Sequence, residues 1–233
     1  MKKLSRCFKV HPVTFIYFLI ALQVGYFKNY LIIFSIVLFH EMCHLLMAYF
    51  FNFKLGKMTL LPFGAYLEIL YYGNYHVLKE LLVSIMGPLS HIIIWAALLF
   101  LKPYLGASTF HYALQFNFLM LLFNLLPLYP LDGSKVVLIG LSFIFPYKLT
   151  LYLTGILSVI CLSLLCGYYL GVEVLLIYAY LWLQQILYFR RIEEIYTQLL
   201  MLRNQFVHYK HIKWNKGYSI YRPYFNIYLK KEE

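Results

Sequence analysis

Charge is what this sequence has least of. Nine acidic residues occur in 233, and only one of them, Asp132, is an aspartate. Charged residues make up 12% of the chain against 63% hydrophobic ones, whereas soluble domains run near a quarter charged and half apolar. That balance excludes an ordinary soluble enzyme, whose surface needs far more polar side chains. Cysteine is sparse as well. Cys7, Cys43, Cys161 and Cys166 form no CxxC pair and no disulfide-framework spacing, which excludes a stapled secreted fold and leaves them reduced or lipid-buried. Ser/Gly-rich linkers and internal repeats are also missing, so the economical division is one membrane domain over 1–189 and a short basic-aromatic tail over 190–233. The basic start, Lys2, Lys3, Arg6 and Lys9, is not followed by a small-x-small cleavage site, so the first apolar stretch reads as a retained anchor.

What is present in abundance is apolar length. A bilayer-spanning helix needs roughly 17–25 mostly apolar residues, and six candidate spans emerge at 12–27, 30–52, 78–101, 112–140, 149–167 and 171–189. The fold class expected is an all-α polytopic membrane protein. The stretch 54–76 is too short and too interrupted for a span; its aromatic and β-branched content with Pro62, Gly64 and Gly73 suggests a hairpin or re-entrant element. Glu68 within it reads as a solvated hairpin residue. With both termini in the cytoplasm, Lys28 and Lys102 are the only basic residues outside, which satisfies the retention of positive charge inside. The net charge of +11 is then a cytoplasmic face of a cell-membrane protein and requires no nucleic acid.

One apolar span carries an unexpected polar cluster. His40-Glu41-Met42-Cys43-His44 is H-E-x-x-H, and residues i and i+4 share one helix face. Two imidazoles so placed can hold one zinc ion, with Glu41 a short arc away as base. Ionisable groups in a membrane span are costly and usually mark function. A catalytic zinc site generally has three protein ligands and an open position, so a third is needed. Glu193, Glu194, Glu232 and Glu233 fall in the tail, Glu173 on the outer side and Glu80 at the start of span three. Asp132 is the one acid embedded in another apolar span, at a depth matching His40 and His44. Pro127 and Pro130 disfavour regular helix just before it, and Gly133 permits an unusual turn beside it.

H-E-x-x-H in an early span plus N-x-x-P-x-x-P-x-D-G (Asn124 to Gly133) in a later one resembles the site-2 protease family of intramembrane zinc metalloproteases, peptidase family M50. The likeness extends to the SpoIVFB-like sporulation branch, which cleaves a sigma-factor precursor of the pro-sigma-K type. Other matching stretches are LLPFGAYLEI (60–69), GNYHVLKE (73–80) and GPLSH (87–91). The resemblance implies one Zn2+ per chain held by His40, His44 and Asp132, with Glu41 as catalytic base. It places Asn124 and Pro130 in the substrate-binding segment, Asn124 also serving as a catalytic donor to the carbonyl or oxyanion. It further implies a membrane-associated protein substrate, membrane-bound inhibitor proteins and the outer forespore membrane as location.

Two departures stand out. Cys43 replaces the glycine usual in HELGH-type members and receives no role here. The roughly 40 residues after the last span are too few for the CBS domain of that branch. Within the tail, 190–206 is amphipathic and continues span six, while 208–231 interleaves Lys, Arg, Tyr and Trp in a pattern suited to an anionic lipid surface. His76, His91, His111, His208 and His211 read as ordinary residues, although the resemblance keeps the GPLSH segment (87–91) near the catalytic core. The competing classes are a non-enzymatic metal-dependent scaffold or transporter, and the same protease acting on an anti-sigma factor or signal-peptide remnant.

Overall fold

Where water cannot reach the backbone, each N–H and C=O must be paired within its own segment, so long apolar runs become helices. In the computed structural model these are α1 (Pro12–Gln23), α2 (Phe27–Phe50), α3 (Val77–Leu101), α4 (Ala107–Leu125), α5 (Asp132–Ser142), α6 (Tyr147–Tyr168) and α7 (Leu175–Phe206). Residues 8–10, 12–61, 64–70, 73–168, 171, 174–206, 212–215 and 220–228 are described. Lys2, Lys3, Arg6, Pro62, Glu173, His208 and His211 lie outside them.

Among the described residues, Phe27–Phe50, Val77–Tyr104 and Tyr147–Tyr168 are long and apolar enough to cross a membrane. The stretch 12–27 instead gives a helix of 12 residues, about 18 Å at 1.5 Å per residue, against a hydrocarbon core of about 30 Å. The candidate span 112–140 is interrupted where Pro127 and Pro130 lead one to expect it: α4 stops at Leu125, residues 126–131 are non-helical, and α5 starts at Asp132. Pro127 and Pro130 lack the amide that would continue the ladder, and the Tyr129–Pro130 bond is cis.

Strands modify the all-α expectation. β1 (Phe8–Val10), β2 (Leu55–Leu61) and β3 (Gly64–Ile69) form one sheet. β2 runs parallel to β1 and antiparallel to β3, with Thr59 opposite Tyr66 and Leu61 opposite Gly64. β2 and β3 both fall within 54–76, and Glu68 lies on β3. A second sheet pairs β4 (Ile212–Asn215) with β5 (Phe225–Tyr228) in parallel.

The chain packs as two units, residues 1–70 with 82–123, and residues 71–81 with 124–233. In the first, α2 packs on β3 and α1 on α2 and β2. The buried residues of α2 are Ile36, Val37, His40, Cys43, His44, Leu45 and Ala48, the helical stripe that faces protein. Phe39, Leu46, Tyr49 and Phe50 are exposed on the remainder. His40 and His44 therefore lie on the buried stripe.

In the second unit, α6 packs between α5 and α7. Its core gathers Tyr147, Leu151, Tyr188, Ile192, Leu199 and Ile220. Ile220 belongs to the basic-aromatic tail, and its carbonyl accepts the Tyr147 N–H at 2.7 Å. Part of the tail is thus interior, while Trp214 remains exposed.

Candidate metal centre

One turn of α2 carries the two histidines on its buried stripe, 2% and 6% exposed. Their Nε2 atoms lie 3.2 Å apart, with the rings edge to face at 82°. The Nδ1 of His44 is 2.7 Å from the Val83 carbonyl. A carbonyl oxygen only accepts, so that nitrogen carries the proton and His44 Nε2 is left as a lone pair. The Nδ1 of His40 is 3.1 Å from Nε2 of His91. Two imidazole nitrogens converging on one point, with their far sides engaged, fit a borderline-soft divalent cation such as zinc.

Helix α3 leaves room for this convergence at Gly87. A Cβ there would come within 2.1 Å of His44 Nε2 and 2.7 Å of His40 Cε1, so the glycine is required by close approach and not by its backbone angles. Pro88 follows it inside the helix. Ser90 Oγ donates to the Gly87 carbonyl at 2.6 Å. Glu41 is half-buried on the same helix, next to His40.

In the other unit, Asp132 is the buried first residue of α5, where a carboxylate is favoured by the helix dipole. Lys135 donates to Asp132 Oδ1 at 2.8 Å. The preceding loop is pinned through Tyr129, whose N–H donates to Ser158 Oγ at 2.9 Å and whose carbonyl accepts from Gln185 Nε2 at 2.8 Å. A Cβ on Gly133 would stand 2.3 Å from the carbonyl oxygens of both Leu125 and Leu126. Gly133 is not among the glycines with positive φ. The unusual turn expected there is corrected to a close backbone contact, which only glycine allows.

Asn124 is buried in the last turn of α4, and Pro130 is half-buried at the cis bond. Cys43 is buried and in no disulfide. His76 accepts the Leu78 N–H on its Nδ1 at 3.3 Å at the start of α3, and His111 is exposed. His91 departs from the ordinary reading. It is buried against His40 and bonded to Asn117 of α4, a residue that reading by motif passed over. The available signal was a His and an Asn within apolar helices, where polar groups are expensive.

Comparison with known proteins follows the same lines. The profile of Peptidase family M50 matches residues 29–108. Stage IV sporulation protein FB of Bacillus subtilis is 34% identical over 160 residues, 68% of this chain and 55% of that protein. A zinc metalloprotease of Methanocaldococcus jannaschii is 27% identical over 138 residues, 54% of this chain and 40% of that protein. The chain thus spans about half the length of the curated relatives it matches. The solved Site-2 Protease from Methanocaldococcus jannaschii is similar in fold, with a TM-score of 0.56 over 76% of this chain and 88% of that one, at 19% identity.

Proposed function

The chain belongs to peptidase family M50, and from that premise we propose that it is an intramembrane zinc endopeptidase cleaving a membrane-associated protein. The observation that carries the reading is the convergence of His40 and His44 Nε2 on the buried stripe of α2. Asp132 supplies the third ligand in this reading; all three are buried residues of a type that can hold one ion. Zinc, when bound, supplies Lewis acidity that polarises a carbonyl and acidifies water.

The chain's own residues do the rest. Glu41, on the same helix as the two histidines, accepts a proton from the attacking water at its carboxylate and delivers it to the departing amine. Asn124, buried at the end of α4, offers its amide N–H to the oxygen where negative charge develops. Pro130 and its neighbours hold the substrate extended beside it. An extended substrate matters because a helix buries its scissile carbonyls in its own hydrogen bonds.

The substrate class we assign is a sigma-factor precursor of the pro-sigma-K type. Its support is the similarity to a sporulation protein. The topology we assign keeps the six candidate spans, the first short and the fourth interrupted at Pro127 and Pro130, with both termini cytoplasmic; its support is that eighteen of the twenty basic residues then fall on one side. Membrane-bound inhibitor proteins, an anionic lipid surface for the exposed part of the tail and the outer forespore membrane complete the proposal. The test is co-expression with a tagged precursor, comparing wild type with Glu41→Gln. Cleavage by the wild type alone is expected. Equal cleavage by both would remove Glu41 from the mechanism, and no cleavage by either would remove this substrate.

A further inference from the structure

His40 is prepared for its task from behind, by side chains on two other helices. Asn117 Nδ2 donates to the backbone carbonyl of His91 at 2.9 Å. Only the amide nitrogen can make that contact, because a carbonyl has no proton to give. The amide orientation is thereby set, and its Oδ1 lies 2.7 Å from His91 Nδ1. An amide oxygen only accepts, so His91 Nδ1 carries the proton. A neutral imidazole has one N–H, which makes His91 Nε2 an acceptor, and it faces His40 Nδ1 at 3.1 Å. His40 donates there, and its Nε2 is left as a lone pair turned to His44 Nε2.

We infer that His91 and Asn117 are positioning residues that set the tautomer and ring angle of His40 for zinc. The inference rests on the zinc reading of His40 and His44 given above. His91 is not itself a ligand, since its Nε2 is engaged by His40. All three side chains are buried, and a relay built of neutral imidazoles and an amide adds no ion. A neutral relay suits an apolar setting, where the carboxylate that commonly backs a zinc-bound histidine would add a costly ion. Val83 serves His44 by the same logic with a backbone carbonyl.

The test measures zinc affinity of the purified full chain by competition with a chelator, alongside the visible spectrum of the Co2+-substituted protein. His91→Leu, which removes the acceptor, is expected to weaken zinc by about 10–100-fold and to shift the cobalt bands. His91→Gln, whose Oε1 can accept from His40 Nδ1, is expected to return most of that affinity. Should the leucine variant fail to fold, Asn117→Leu decides, since it leaves His91 in place with its tautomer unset; weaker zinc binding is expected there too. Wild-type affinity in a folded His91→Leu or Asn117→Leu, or a glutamine variant no better than leucine, would overturn the relay. A wild type that binds no zinc would overturn the metal reading instead.

Discussion

Arg222 forms a buried ion pair with Glu80, a residue 142 positions earlier, and the two side chains are 2% and 0% exposed. The other oxygen of Glu80, Oε1, accepts the N–H groups of Gly73 and Tyr75 at 2.8 and 3.1 Å. The guanidinium also lies 5.0 Å from the centre of the Tyr147 ring. One residue of the basic-aromatic tail thereby holds the segment that leads into α3. Breaking a buried pair from one side leaves an uncompensated charge, at a cost of about 3–5 kcal/mol. Arg222→Met should lower the thermal unfolding midpoint markedly, and Arg222→Met combined with Glu80→Gln, whose amide oxygen can still accept from Gly73 and Tyr75, should recover much of the loss. A single variant that melts like wild type would show that the pair contributes nothing net.

Gly87→Ala tests the space around the two histidines. With its Cβ 2.1 Å from His44 Nε2, the alanine must displace the very atom assigned to the metal. Overpacking of this kind costs about 1–3 kcal/mol, while zinc retained after dialysis against chelator should fall to a small fraction of wild type. Full zinc occupancy in a folded Gly87→Ala protein would mean that the ion lies elsewhere.

Asp132→Asn removes a negative ligand while keeping the shape. Zinc affinity should drop by more than the roughly 10–100-fold typical of losing an outer partner, and Lys135 loses its ion pair with Oδ1. Metal analysis of the purified variant is the measurement. Unchanged stoichiometry and affinity would remove Asp132 from the metal's ligands.

Two glycines of α5 should respond in opposite directions to alanine. At Gly133 the new Cβ meets two backbone carbonyl oxygens at 2.3 Å, whereas at Gly140 nothing lies within 4 Å. Gly140→Ala should stabilise by about 0.5–1 kcal/mol through helix propensity. Gly133→Ala should destabilise and disturb the loop before Asp132, because backbone cannot yield as a side-chain tip can. Melting midpoints of the two variants decide the matter.

The sequence by itself determined what depends on local spacing and scarcity. H-E-x-x-H puts His40 and His44 on one helical face because four residues make about one turn. Scarcity pointed to Asp132, the only aspartate in the chain. Pro127 and Pro130 announced a break, but its extent, a full stop at Leu125 and a fresh start at Asp132, depended on Ser158 and Gln185 holding Tyr129 from α6 and α7. The tertiary structure alone decided the partners that no periodicity encodes. His91 and Asn117 meet only when α3 and α4 pack together, and Glu80 meets Arg222 only when the tail folds back. Hydrogen bonds and ion pairs form where chain segments remote in sequence become neighbours, and a motif read along the chain contains no term for that distance. For the same reason Gly133 could be recognised as special from its place beside Asp132, while its cause, two carbonyl oxygens standing where a Cβ would have to go, belongs to the fold.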